Sequence, residues 1–186
     1  MLTVDSWLND SVGDHAEARI HNYFGRPHQA AGMLSVGDTA PGFSLSNQDD
    51  EPVSLSSVDG YAVVYFYPRA DTPGCTTEAT SFRDRFAAFD DRGVRVFGIS
   101  DDPVDDLAAF AEKHDLPFEL LSDPDGEVGR AYESYGEKNM FGRTFDGVFR
   151  NTYIVDPDGD IAAVFEGVSP DEHAEEVLSA LDELSE

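Results

Sequence analysis

One cysteine in 186 residues, Cys75, rules out an intramolecular disulfide and any Cys-x-x-Cys pair, so disulfide reduction of the thioredoxin type is disfavoured. Lysine is almost as scarce, Lys113 and Lys138 alone, and all basic residues number 12 against 38 acidic ones, a formal charge of -26. Without a basic stripe, neither nucleic acid nor an anionic membrane is a fitting partner. No apolar run approaches the ~20 residues that span a bilayer. No basic-then-apolar start resembles a secretion signal, and no Gly-x-Gly-x-x-Gly or Walker pattern marks a nucleotide site. A cytoplasmic protein without a cofactor is expected. His15, His21 and His28 are spaced by six and seven residues and share no helix face, so no metal is expected either.

The acidic residues are not gathered into a tail. Asp49-Asp50, Asp90-Asp91, Asp101-Asp102, Asp105-Asp106 and Glu175-Glu176 are spread along the chain. Such a surface repels itself in dilute buffer, whereas in molar salt the Debye length shrinks to roughly 3 Å and the repulsion is screened. The charge pattern is that of a halophilic protein.

The length suits one well-packed domain. Residues 1 to 32 stand apart from it as an N-terminal extension. There Leu8, Val12, Ala16, Ile20 and Phe24 step by four, with Trp7 and Tyr23 alongside, until Gly25 and Pro27 stop the pattern. A short amphipathic helix is expected, weakened by Gly13. Two readings stay open for it: docking on the domain or a neighbouring chain, or an upstream extension with little role.

The domain is placed at 33 to 186. Residues 43 to 46 and 53 to 55 read as a β-hairpin, and 62 to 67, Ala-Val-Val-Tyr-Phe-Tyr, as a fully buried central strand. Apolar positions Ala79, Phe82, Phe86 and Phe89 predict one helix from 73 to 91, ended by Gly93. A second buried strand, 94 to 100, and a helix from Pro103 to His114 follow, with His114 as a partner of that helix's C-terminal dipole. Next come a short strand, 118 to 121, and a helix, 127 to 135. After a loop, 136 to 147, strands 149 to 155 and 161 to 166 join through Asp156-Pro157-Asp158-Gly159, and a helix, 170 to 184, closes the chain. The order implies an α/β fold, a mixed sheet covered by helices.

Within that order Cys75 falls in the first turn of a helix, just after the central strand. A helix N-terminus presents unpaired N–H groups and partial positive charge, which favour thiolate over thiol. Thr72 can donate to the sulfur or to a bound oxygen, and Pro68 and Pro73 stiffen the turn. The plain alternative is a small buried hydrophobe, the commoner fate of a lone cysteine.

Pro68-x-x-x-Thr72-x-x-Cys75 resembles the active-site motif of peroxiredoxins. The string Asp71-Thr72-Pro73-Gly74-Cys75-Thr76-Thr77-Glu78-Ala79, continuing to Phe82-Arg83-Asp84, is similar to the Q-type subgroup, the bacterioferritin-comigratory proteins. So are Gly136-Glu137-Lys138 and residues 142 to 150 leading into 152 to 156, and the likeness runs from Val36 to Leu184. It implies a thioredoxin-like fold and a thiol-dependent peroxidase acting on hydrogen peroxide and small organic hydroperoxides. It implies Cys75 as the attacking thiolate, Arg150 as the main cation beside it, and Thr72 and the Cys75 N–H completing an oxygen pocket. Pro68, Pro73 and Gly74 support the loop. The resemblance implies that Glu78 holds the arginine, the plain alternative being an acid favoured by the helix dipole, and Arg83 and Asp84 read as structural.

The chain departs from the subgroup at Thr80, where many members carry a second cysteine. A sulfenic acid on Cys75 must then be reduced from outside, by a small thiol, a thioredoxin- or glutaredoxin-like protein, or another chain's Cys75. Over-oxidation to the sulfinic state follows as a hazard, and a monomer or homodimer is expected. A different class of function also fits: a peroxide sensor or redox-regulated interaction protein that uses Cys75 oxidation as a signal. A cysteine hydrolase is disfavoured, because no core histidine can be set beside Cys75 from sequence.

Overall fold

Alternate residues of the central strand serve two different cores. Val63, Tyr65 and Tyr67 enter one apolar cluster, with Cys75, Phe82, Phe165 and Val177. Ala62, Val64 and Phe66 enter the other, with Phe97, Tyr132 and Tyr153. A run apolar on both faces can be buried only in the middle of a sheet covered on both sides, and that is its place in the computed structural model, which describes residues 34–185. The expected N-terminal helix lies outside the described residues.

The elements are β1 (Ser44–Asn47), β2 (Pro52–Ser54), β3 (Ala62–Phe66), α1 (Pro73–Asp84), α2 (Phe86–Asp91), β4 (Arg95–Ser100), α3 (Val104–His114), β5 (Glu119–Ser122), α4 (Glu127–Ala131), β6 (Tyr135–Met140), β7 (Arg143–Val148), β8 (Thr152–Val155), β9 (Ile161–Phe165) and α5 (His173–Leu184). Seven strands form one sheet in the order β2-β1-β5-β4-β3-β8-β9. β3, β4 and β5 run parallel and the remaining pairs antiparallel. This is the thioredoxin-like arrangement expected, with the N-terminal hairpin β1–β2 at one edge. Among the described residues no helix is long and apolar enough to cross a membrane.

Four expectations need correction. The helix placed at 73 to 91 is two helices, because Arg85 leaves helical dihedrals (φ -113, ψ 12) and turns its guanidinium to Glu175 of α5. The helix placed at 127 to 135 ends at Ala131: Glu133 takes a positive φ of 54 and the Ser134 N–H returns to the Gly129 carbonyl at 2.7 Å. The loop placed at 136 to 147 is the hairpin β6–β7, closed by Phe141 and Gly142, both at positive φ, the geometry of a two-residue primed turn. Finally, the strand placed at 149 to 155 begins only at Thr152. The Asn151 N–H folds back to the Phe149 carbonyl at 2.9 Å, so Arg150 sits in an irregular connection rather than in the sheet.

Gly98 of β4 is a sheet glycine whose missing side chain is needed. A Cβ there would lie 2.7 Å from the Tyr65 ring, its partner across β3 and β4. Tyr65 is itself buried and stacks on Phe82 of α1 at 4.7 Å. Gly98→Ala is expected to cost about 1–3 kcal/mol through overpacking, read as a lower midpoint in chemical denaturation.

Candidate active site

The turn between β3 and α1 is tied down from several sides. Asp71 takes a positive φ of 59, tolerable for aspartate. Its carboxylate receives Lys113 Nζ at 2.9 and 3.0 Å and lies 3.4 Å from His114 Nε2, both at the C-terminal end of α3. Those two hydrogen bonds hold the Asp71 carboxyl below the usual carboxylate range. The Ala70 N–H donates to Asp102 Oδ2 at 2.7 Å, just beyond the end of β4. His114 therefore does more than meet a helix dipole, and Asp71 anchors the loop to the end of α3.

Pro73 opens α1 at a position where a missing N–H costs nothing. The first backbone bond of the helix runs from the Thr76 N–H to the Thr72 carbonyl at 2.8 Å, so the Cys75 N–H belongs to the unpaired first turn. Cys75 is 2 % exposed. Thr72 does not aim its proton at it, because the Thr72 hydroxyl donates to the Arg69 carbonyl at 2.8 Å. The expected donor is committed to closing the turn, and its lone pairs are what remain for a ligand.

Across from the sulfur, the connection before β8 delivers Arg150. Its Nη2 donates to Cys75 Sγ at 3.4 Å and its Nη1 to Glu78 Oε2 at 2.5 Å. Gly74 makes that approach possible, since a Cβ there would stand 3.2 Å from Nη2. Burial works to lower the Arg150 pKa, but the charges of Glu78 and Cys75 outweigh it and the group is held above its ordinary value. Glu78, one helical turn after Cys75, is wholly buried. Burial pushes its carboxyl up, against His173 and Arg150, which pull it down.

The sign of that shift matters. A carboxyl raised on folding binds its proton more tightly in the folded chain, so its contribution to stability is full below the ordinary glutamate range and is lost as pH rises through the folded value. The Glu78→Gln chain has no such proton to lose. Its stability is expected to rise relative to wild type as pH increases across that window, a trend that paired denaturation curves at acid and neutral pH would test.

Beside Arg150 opens a cavity of about 430 Å³ lined by Pro68, Glu133, Lys138, Phe149, Asn151 and Glu166. Lys138 reaches it from β6, its Nζ donating to the Val148 carbonyl at 2.8 Å and lying 5.8 Å from the Phe149 ring. Burial lowers its pKa, helped by Arg150, while Cys75 and Asp101 act the other way. Another cavity, about 320 Å³ between Thr39, Leu55, Val58 and Val155, sits at the opposite end of β3 and touches none of these residues.

Of the residues named from sequence, Cys75, Arg150, Glu78 and Gly74 meet in one contact set, Thr72 caps the same turn, Pro68 lines the adjoining cavity and Pro73 starts the helix. Arg83 lies away from them, bonded to Asp84 and to the His114 carbonyl. Sequence reasoning did not single out Lys138 or the buried His173 for the site. Lys138 stood in a segment already noted for its resemblance, and its being one of two lysines was the available signal.

The chain is similar to known proteins in both sequence and fold. The model of the AhpC/TSA family matches residues 36–164. Peroxiredoxin Bcp of Escherichia coli is 45% identical over 151 residues, covering 81% of this chain and 97% of the relative. A putative peroxiredoxin of Mycobacterium tuberculosis is 50% identical over 129 residues, 69% of this chain and 82% of the relative. Among solved structures, Peroxidoxin BcpB of M. tuberculosis superposes with a TM-score of 0.74 at 36% identity, over 81% of this chain and 98% of that one. A PrxQ mutant of Xylella fastidiosa gives 0.78 at 30% identity, over 84% and 100%. The chain belongs to the AhpC/TSA family, and within it to the Bcp/PrxQ peroxiredoxins, which are thiol-dependent peroxidases.

Proposed function

We propose that Cys75 is the peroxidatic nucleophile and that Arg150 is its principal electrostatic partner. The observation that carries this is the single guanidinium shared by Cys75 Sγ and the buried Glu78. The thiolate attacks one oxygen of a peroxide, an S–O bond forms as the O–O bond breaks, and the departing oxygen takes the peroxide proton and leaves as water or alcohol. Cys75 remains as a sulfenate, which takes up a proton. Negative charge moves from sulfur to the departing oxygen, and fixed donors stabilise it without rearranging. Arg150 and the Cys75 N–H supply them. Thr72 takes part through its lone pairs, accepting the peroxide O–H, with Pro68, Pro73 and Gly74 shaping the loop.

A relative from Xanthomonas campestris is described for alkyl peroxide reduction, and the partly apolar cavity beside Arg150 suits small organic hydroperoxides as well as hydrogen peroxide. With no other cysteine in the chain, the sulfenic acid is returned to thiol by an external donor, either a small thiol or a thioredoxin- or glutaredoxin-like protein. An enzyme that depends on such donors suits a compartment where thiols are kept reduced, which supports a cytoplasmic location. The catalytic domain is residues 33 to 186, working as a monomer or homodimer. Peroxide consumption with a small thiol and with a thioredoxin-type donor is expected to run well beyond one equivalent per chain with at least one of them. A stop at one equivalent with every donor would overturn the peroxidase reading in favour of a sensor.

The surface adds a condition to that assay. At a net charge of -26, self-repulsion is relieved only when salt shortens the Debye length to a few ångströms. The melting temperature is expected to climb steeply from dilute buffer to molar KCl. A flat dependence would contradict the halophilic reading.

A further inference from the structure

The hairpin β6–β7 presents two unlike faces. Its register sets Gly136 opposite Gly147, Lys138 opposite Phe145 and Met140 opposite Arg143, and partners directly across a ladder share a face, as do alternate residues along a strand. One face therefore carries Lys138, Met140, Arg143 and Phe145, and the other Tyr135, Glu137 and Asp146. The second face is held to the body of the domain. Tyr135 fills the space over Gly126 and Gly129, where an added Cβ would lie 2.7 and 2.8 Å from it. Arg130 of α4 stands 4.5 Å from the Tyr135 ring and 3.9 Å from Asp146 Oδ2. The first face is open: Met140 is 51 % and Phe145 44 % exposed, and with Phe141 at the turn, 97 % exposed, they are the exposed large apolar side chains among the described residues.

No acid stands on that open face, in a chain that has 38 of them. Its base is the active site. The Lys138 stem and the Phe145 ring lie together over Gly147, where a Cβ would meet them at 3.0 and 3.4 Å. Lys138 lines the cavity beside Arg150, and Arg150 donates to Cys75 Sγ. A stripe of Met, Phe and Arg with no acid, leading to the reactive sulfur, is the composition of a protein contact, and its charge suits a partner that is acidic around an apolar centre. What has to come here is set by the rest of the chain. With no second cysteine, a sulfenic acid on Cys75 takes its electrons from outside. A small thiol has no use for a surface that extends beyond the cavity to the hairpin tip, whereas a protein donor needs one. A second copy of this chain is the poorer fit, because identical faces meeting about a twofold axis would bring two sets of Lys138 and Arg143 together.

We propose that the face carrying Lys138, Met140, Arg143 and Phe145 is the docking surface for a dithiol protein donor of the thioredoxin or glutaredoxin kind, one whose surface beside its reactive thiols is apolar and acidic. This rests on the oxidation of Cys75 to a sulfenic acid proposed above. A thiolate of the docked donor attacks the Cys75 sulfur, an S–S bond forms as the S–O bond breaks, and the hydroxyl takes a proton and leaves as water. The donor's second thiolate attacks the donor sulfur of this mixed disulfide and releases Cys75 as thiolate. The donor ends as a disulfide, having given up the two electrons that Cys75 gains.

The test is steady-state peroxide turnover by the full chain in molar KCl, with reduced thioredoxin or glutaredoxin as one donor and dithiothreitol as the other, beside the single-turnover oxidation of Cys75 by hydrogen peroxide. Met140→Ser combined with Phe145→Ser is expected to lower kcat/KM for the protein donor about tenfold, the loss that follows when apolar anchors leave a contact. Arg143→Glu, which reverses a charge on the same face, is expected to lower it about fivefold. Turnover with dithiothreitol and the single-turnover rate should stay within about twofold of wild type, because neither uses the face. Arg143→Glu alters an exposed side chain and decides the matter if the serine pair does not fold. Equal losses with both donors, no loss with either, or a wild type recycled by dithiothreitol and by neither protein would overturn the proposal and leave the peroxidase reading intact. Variants that change the sedimentation of the chain while donor kinetics stay put would give the face to a second copy and overturn it as well. A wild-type Cys75 that takes no oxygen in the single-turnover experiment would remove the peroxidase reading and the proposal together.

Discussion

Cys75→Ser is expected to bring thiol-dependent peroxide consumption down to the rate of buffer alone. A serine hydroxyl does not ionise in a site of this kind, and oxygen, unlike sulfur, does not take up a peroxide oxygen to give a counterpart of the sulfenic acid, so the loss is complete rather than partial. The fold should survive the change. The side chain is almost fully buried but faces Arg150 Nη2, which can donate to the new oxygen, and a buried hydroxyl with a partner costs about 1 kcal/mol or less. Activity and the denaturation midpoint should therefore separate: the first abolished, the second nearly unmoved. A serine chain that still turned over peroxide would remove the chemistry from Cys75.

Arg150→Met should have the next largest effect. Removing one preorganised donor from a site where charge develops costs about 10²–10³ in rate. Here the same change also strips Glu78 of its ion pair, and breaking a buried pair by deleting one partner costs roughly 3–5 kcal/mol. The variant is therefore expected to be slow and unstable. Adding Glu78→Gln should recover much of the stability and none of the rate, which tells the electrostatic role from the structural one. Arg150→Lys should fall between, because an ammonium is a point charge and cannot reach sulfur and carboxylate with two rigidly placed nitrogens.

The part of the site contained in one stretch was readable from the chain. An apolar run at 62 to 67, a turn, and Pro73 in front of stepped aromatic residues place the sulfur in the first turn of a helix, and the structure puts it there. Contacts across long separations left no periodic trace. Arg150 and Glu78 are 72 residues apart, and only the family motif linked them. The hairpin β6–β7 was invisible because its turn is Phe141-Gly142 in place of Asn-Gly, and its apolar residues Met140, Phe141 and Phe145 are exposed, so no alternation of inside and outside marks the strands. The break at Arg85 interrupts an apolar spacing that is itself continuous. His173 follows Asp171 and Glu172 in what looks like a solvated helix start, yet it is among the most buried polar residues in the chain. Its burial is set by Phe82 and Phe165, which no local pattern brings near.

One sulfur takes one oxygen in this chemistry, and the mass of the intact chain reads that directly. After one equivalent of hydrogen peroxide in molar KCl without thiol, the mass should rise by a single oxygen located on Cys75, and an added thiol should return it to the starting value. Oxygen found on the methionines while Cys75 stays reduced, or a chain left unchanged by peroxide, would contradict it.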